Sequence, residues 1–86
     1  MSRYQYYEML ESVERILSYF VHEHLPYYLQ LVSKPVDDLA WDVAARSPQN
    51  DELEIALRKL LEAKECLLRA VVKESRTPLT SEVPAP

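Results

Sequence analysis

The chain has 86 residues, a formal net charge of -4 and a pI near 5.1. That length holds one domain with a thin core, and the acidic balance excludes general binding of nucleic-acid duplexes by counterion release. Glycine is absent and proline occurs six times, so glycine-rich phosphate loops and tight left-handed turns are excluded. A single cysteine, Cys66, cannot close an internal disulfide. With neither a signal-peptide pattern nor a long apolar run, the expected compartment is the cytoplasm, with no membrane partner.

Ser2-Arg3-Tyr4-Gln5 fits a capping box. A first helix is therefore predicted over 3–22, with Tyr6, Leu10, Val13, Leu17 and Phe20 on one stripe. The pattern breaks at His22-Glu23-His24-Leu25-Pro26, where Pro26 disfavours helical geometry at Leu25 and suits the opening of a second helix.

A second helix is predicted over 26–46. Leu25, Leu29, Val32, Val36, Leu39 and Val43 keep four-three spacing straight through Pro35, which reads as one helix kinked there rather than two helices with Ser33 as a cap. Tyr27, Leu31 and Trp41 lie far from that stripe and are expected at the surface. With Tyr4 and Tyr19 they give more aromatic surface than one three-helix core uses, for which self-association is the plain reading and base stacking the sharper one.

Arg46 to Asn50 is a turn cluster, and a third helix is predicted over 51–74, opened by Asp51-Glu52-Leu53-Glu54. Leu53, Leu57, Leu60, Leu67 and Val71 form its stripe, widened by Leu61 and Leu68. Lys64 stands where a leucine is expected, and a buried unpaired ammonium is costly; it can snorkel, pair with a carboxylate of its own or another chain, or meet an anion. Arg58, Glu62, Glu65 and Arg69 share the opposite face, which reads first as a solvated face with ion pairs. The proline-rich segment 75–86 has no periodicity and is expected to be a disordered tail beyond a single domain over 1–74. The fold class is thus all-α: an antiparallel helical hairpin plus an N-terminal helix, in a bundle that oligomerises.

The chemistry of catalysis is hard to find. His22 and His24 are two apart, not the four a helical zinc motif needs, and Cys66 has no matched partner. The carboxylates look like ordinary solvated helix faces, so neither an enzyme nor a metal or other cofactor is expected.

Ala56-Leu57-Arg58-Lys59-Leu60-Leu61-Glu62-Ala63-Lys64-Glu65-Cys66-Leu67-Leu68-Arg69-Ala70-Val71 resembles the second hairpin helix of phage-encoded cyclic-nucleotide sponges, the anti-CBASS and anti-Thoeris proteins. Ala56, Leu57, Lys59, Leu60, Glu62, Ala63, Arg69, Ala70 and Val71 match the family pattern without a gap. The segment from Leu25 to Ala44 looks like the first hairpin helix of small phage proteins of the same group. The resemblance implies a homo-oligomer, often a hexamer, that captures a cyclic oligonucleotide or a cyclic ADP-ribose-type signal between subunits and does not cleave it. It implies Arg58, Lys59 and Arg69 as phosphate ligands, and it leaves Lys64 as a further cationic candidate and Tyr27, Tyr28 and Trp41 as stacking candidates. Two positions depart from the pattern: Arg58 replaces a ligand-facing threonine, and Cys66 replaces an aromatic. The rival reading is a helical adaptor whose Trp41 and tyrosine face docks another protein without a small ligand.

Overall fold

The computed structural model describes residues 8–76, with side chains through Glu74. Among these residues all regular structure is helical: α1 (Glu11–Leu17), α2 (Tyr27–Arg46) and α3 (Asp51–Arg76). The Ser2 cap, Tyr4, Tyr6 and most of the expected tail lie outside the described residues; Ser75 and Arg76, expected in the tail, belong to α3. No helix among the described residues is long and apolar enough to cross a membrane.

The second and third helices begin and end close to where the sequence places them. α2 runs unbroken through Pro35, whose ring sits on the exposed side of the helix. Pro26 precedes its first residue, and its carbonyl accepts from the N–H groups of Leu29 and Gln30. Gln30 reaches back with Nε2 to the Leu25 carbonyl at 2.7 Å, fixing the angle of entry.

The α2–α3 joint is built from side chains that satisfy helix ends. Ser47 Oγ donates to the Val43 carbonyl at 2.6 Å, and Gln49 Nε2 donates to those of Ala44 and Ser47. Asn50 Oδ1 accepts from the Leu53 N–H at 3.1 Å, so Asn50, not Asp51, caps α3. Gln49 Oε1 also accepts from the Leu10 N–H at 3.0 Å, which ties the start of α1 to this joint.

The first helix departs most from expectation. Predicted over 3–22, it spans only Glu11–Leu17 among the described residues, with Leu10 extended before it. The backbone leaves the helix through short bonds from Tyr19 N–H to the Ile16 carbonyl and from Phe20 N–H to that of Leu17. Phe20 is thereby turned into the core.

The core joins Val13, Ile16, Leu17 and Phe20 to Ala40 and Ala44 of α2 and Leu53 and Leu57 of α3. Val36, Val43, Leu60 and Leu61 close its edges. α2 shares its largest contact with α3, and α1 lies more on α3 than on α2. The buried line of α2 is Leu29, Ser33, Asp37, Ala40 and Ala44, one step round the helix from the apolar repeat in the sequence. Leu39, assigned to the core by that repeat, is 49% exposed. Small alanines let the helices approach, and the wider leucine and valine stripe is left half outside.

Candidate functional site

The seven residues singled out from the sequence fall into three settings. Arg58, Lys59 and Arg69 lie exposed on α3. Arg58 Nη2 stands 3.9 Å from Glu54 one turn earlier, and Arg69 Nη2 donates to Cys66 Sγ at 3.2 Å. Eleven residues apart on a helix, Arg58 and Arg69 share a face about 16 Å from each other, with Glu62 and Glu65 between them. An arginine fork on such a face is free to turn toward phosphate oxygens.

Tyr27 and Tyr28 open α2 and are exposed, Tyr27 at 74%. Trp41 is different. It is 43% exposed, while Nε1 donates to the Phe20 carbonyl at 3.2 Å, so the indole is anchored to the segment that follows α1. No hydrogen bond or ion pair among the described residues joins any two of these seven, so one chain presents the basic and aromatic groups separately.

Lys64 has the third setting, and it resolves the anomaly in the leucine stripe. It is 4% exposed. Its ammonium lies 2.8 Å from Asp37 Oδ1 and donates to the carbonyls of Tyr19 at 2.9 Å and Val21 at 3.1 Å. It also sits 5.6 Å from the centre of the Phe20 ring, within cation–π range. An ammonium has three N–H donors, and three oxygens surround this one. Of the fates left open by the sequence, the structure shows a carboxylate partner within the same chain.

Asp37 is equally enclosed. Oδ2 accepts from Ser33 Oγ at 2.7 Å and meets His22 Nδ1 at 3.0 Å. Because an ionised carboxylate only accepts, His22 presents Nδ1–H to it. Oδ1 makes no hydrogen bond of good angle, although Lys64 is at 2.8 Å; at that separation the attraction is that of an ion pair, for which distance matters more than angle. On the outer side His22 Nε2 is 3.8 Å from Glu23. Glu23 is exposed, and its carboxyl lies below the usual range, first because its own backbone N–H bonds to it and then because of the His22 charge.

Three successive carbonyls after α1, those of Tyr19, Phe20 and Val21, are therefore taken by Lys64 and Trp41. Side chains of α2 and α3 thus satisfy the carbonyls of the segment that leaves α1 and hold it against the core. Sequence reading flagged Lys64 but missed Asp37, Ser33 and His22, since Asp37 looks like one of several solvated carboxylates, Ser33 like an alternative helix cap and His22 like part of the break before Pro26. The four-residue step from Ser33 to Asp37, on the face that also carries Ala40 and Ala44, is the signal that could have found them.

Among the described residues no group of three or more histidine, cysteine or acidic side chains is arranged to hold a metal ion. Cys66 is exposed. The buried Asp37–Lys64–His22–Ser33 network faces inward and joins three segments of chain; its chemistry is that of a structural clasp. Compared with protein-family models, with curated proteins and with solved structures, the chain matches none.

Proposed function

We propose that the protein is a binding protein that sequesters a cyclic-nucleotide immune signal, uncleaved, at the subunit interfaces of a homo-oligomer in the host cytoplasm. The observation that supports this reading is the placement of Arg58, Lys59 and Arg69. All three are exposed on the helix that carries the resemblance to phage sponges, while the one buried cation of that helix, Lys64, is already engaged.

In this reading α2 and α3 form an antiparallel hairpin. The Asp37–Lys64 pair sets their register, which brings Arg69 within about one turn of the level of Tyr27 and Tyr28, and Arg58 near the level of Trp41. Arginine forks hold the phosphates, the tyrosines and the partly exposed indole stack on the bases, and a neighbouring subunit closes the pocket. Lys64 is left to the fold, because its ammonium is buried against Asp37 and bonded to two backbone carbonyls. Binding holds the nucleotide without a general acid, a general base or a metal.

Arg58→Ala and Arg69→Ala test this directly. Each is expected to weaken nucleotide binding by tenfold or more, about the worth of one charge-assisted hydrogen bond, with the far-ultraviolet helical signal unchanged. The adaptor reading is favoured by the exposed Tyr27, Leu31 and Trp41 of α2. It predicts the opposite pattern: a protein partner retained by Arg58→Ala and lost by Trp41→Ala.

A further inference from the structure

α3 carries a second apolar stripe that the fold covers only in part, at Leu60. Ala56, Leu60, Ala63, Leu67 and Ala70 recur at four-three spacing. The three alanines are exposed, Leu67 is 44% exposed and Leu60 is half-buried. Glu54, to whose Oε2 Ser12 of α1 donates at 2.8 Å, is about 160° round the helix from the centre of this stripe. On α2, Leu39 and Val32 point away from Asp37, and so from the loop that leaves α1, and border the same open side. Apolar side chains at this spacing form the seam by which one helix packs along another.

We infer that a second copy of this chain covers the stripe, with its α3 running antiparallel. Two independent features select this occupant and this direction. The first is shape: when the residue numbers of facing positions sum to 123, Leu60 meets the second copy's Ala63 and Leu67 meets its Ala56, with the reciprocal pairs following by two-fold symmetry. Every such layer sets a leucine against an alanine, which lets two helices approach closely and still fill the space between them.

The second feature is charge. The positions flanking the seam on its outer side, seven apart, are Glu52, Lys59, Cys66 and Lys73. In the same register Glu52 lies beside the second copy's Lys73, and Lys59 beside its Cys66. The acid of the outer pair lies in the first turn of α3 and the base near its last, so only an antiparallel pair sets opposite charges side by side. These charges already favour the helix they belong to, through its dipole; the antiparallel pair gives them a second use. A parallel pair would set acid beside acid. The assembly brings two α2–α3 units together along one continuous apolar face, and it specifies one interface of the homo-oligomer proposed above, on which the inference rests.

The experiment is sedimentation equilibrium on the full chain at roughly 100 micromolar, with substitutions that read the register. The unaltered chain is expected to be dimeric or a multiple of a dimer, and Ala63→Arg and Leu67→Glu, both at exposed positions, are expected to lose this interface with helicity intact. Glu52→Lys and Lys73→Glu are each expected to weaken association about tenfold, and the two together are expected to restore it. Lys59→Cys should form a disulfide-linked dimer with the native Cys66 of the other copy on mild oxidation, whereas the unaltered chain should not, since its two thiols stand about 10 Å apart along the seam.

A monomer at that concentration overturns the inference. So does an oligomer indifferent to Ala63→Arg and Leu67→Glu, or a Lys59→Cys chain that does not cross-link. Nucleotide binding is read separately by calorimetry, so a paired α3 that binds no nucleotide sinks the sponge reading and leaves the seam, whereas a nucleotide-binding monomer sinks the seam and the interfacial pocket and leaves sequestration.

Discussion

The two ends of the α2–α3 contact are built from different chemistry. Near the joint, Ala40 and Ala44 face Leu53 and Leu57, with Val13, Ile16 and Leu17 of α1 laid over them, and the interior is hydrocarbon. Toward the other end, the same buried line of α2 carries Ser33 and Asp37, which meet Lys64 of α3 and His22 of the loop. The apolar end drives folding, because burial of hydrocarbon is non-directional and favourable. The polar end gains less on balance, since two desolvated charges recover little more than they lose. What it adds is direction: a carboxylate and an ammonium accept only partners at particular places, and so they fix where the chain turns after α1.

Several substitutions would break or sharpen that contrast. The largest expected effect is that of Asp37→Ala, which strands the Lys64 ammonium inside the protein; a loss of about 3–5 kcal/mol should appear in urea unfolding, enough to leave so small a domain marginal. Leu57→Ala at the apolar end should cost about 2–5 kcal/mol through lost burial and a residual cavity. The two are distinguishable. Asp37→Ala should loosen amide-exchange protection around Tyr19 to His22 before the rest, whereas Leu57→Ala should lower protection throughout the core. Equal loss of protection everywhere in both variants would show that the polar end has no separate role.

Trp41→Phe removes the donor to the Phe20 carbonyl and keeps most of the ring, with an expected cost of about 1 kcal/mol by the same unfolding measurement. The smallest effect belongs to Glu23. Its folded carboxyl titrates below the usual range, so its contribution is present above the unfolded pKa of about 4.3 and is lost as pH falls through the folded value. Glu23→Gln should therefore lower stability slightly at neutral pH, flatten that acid limb and leave stability at low pH unchanged. Lys34 and Asp38, an exposed pair at 2.6 Å, raise the Lys34 pKa through their hydrogen bond, but solvent screens them.

Much of the fold was legible because helix periodicity and joint residues are local signals. The sequence places α2 over 26–46 and α3 over 51–74, against the observed Tyr27–Arg46 and Asp51–Arg76. The first helix was misread beyond Leu17, where the partners of the backbone are residues far along the chain: Trp41 and Lys64 take the carbonyls of Tyr19, Phe20 and Val21. The core line of α2 was misread because its centre is serine, aspartate and alanine, whereas an apolar repeat is scored on leucine and valine. Of the candidate site residues, surface placement followed directly from helical angle for Tyr27 and Trp41 and for Arg58 and Arg69, whereas Lys59 came from the resemblance alone. Lys64 was recognisable as an anomaly, but its partner depends on how α2 and α3 align, which no spacing within one helix contains.

The central functional claim is best tested by calorimetric titration of the full chain with a panel of cyclic dinucleotides, cyclic trinucleotides and cyclic ADP-ribose isomers, followed by recovery of the ligand after denaturation. Saturable binding of at least one of these, with the intact molecule recovered, is the result expected of a sponge. Absence of heat across the whole panel, or recovery of a cleaved product, would contradict it.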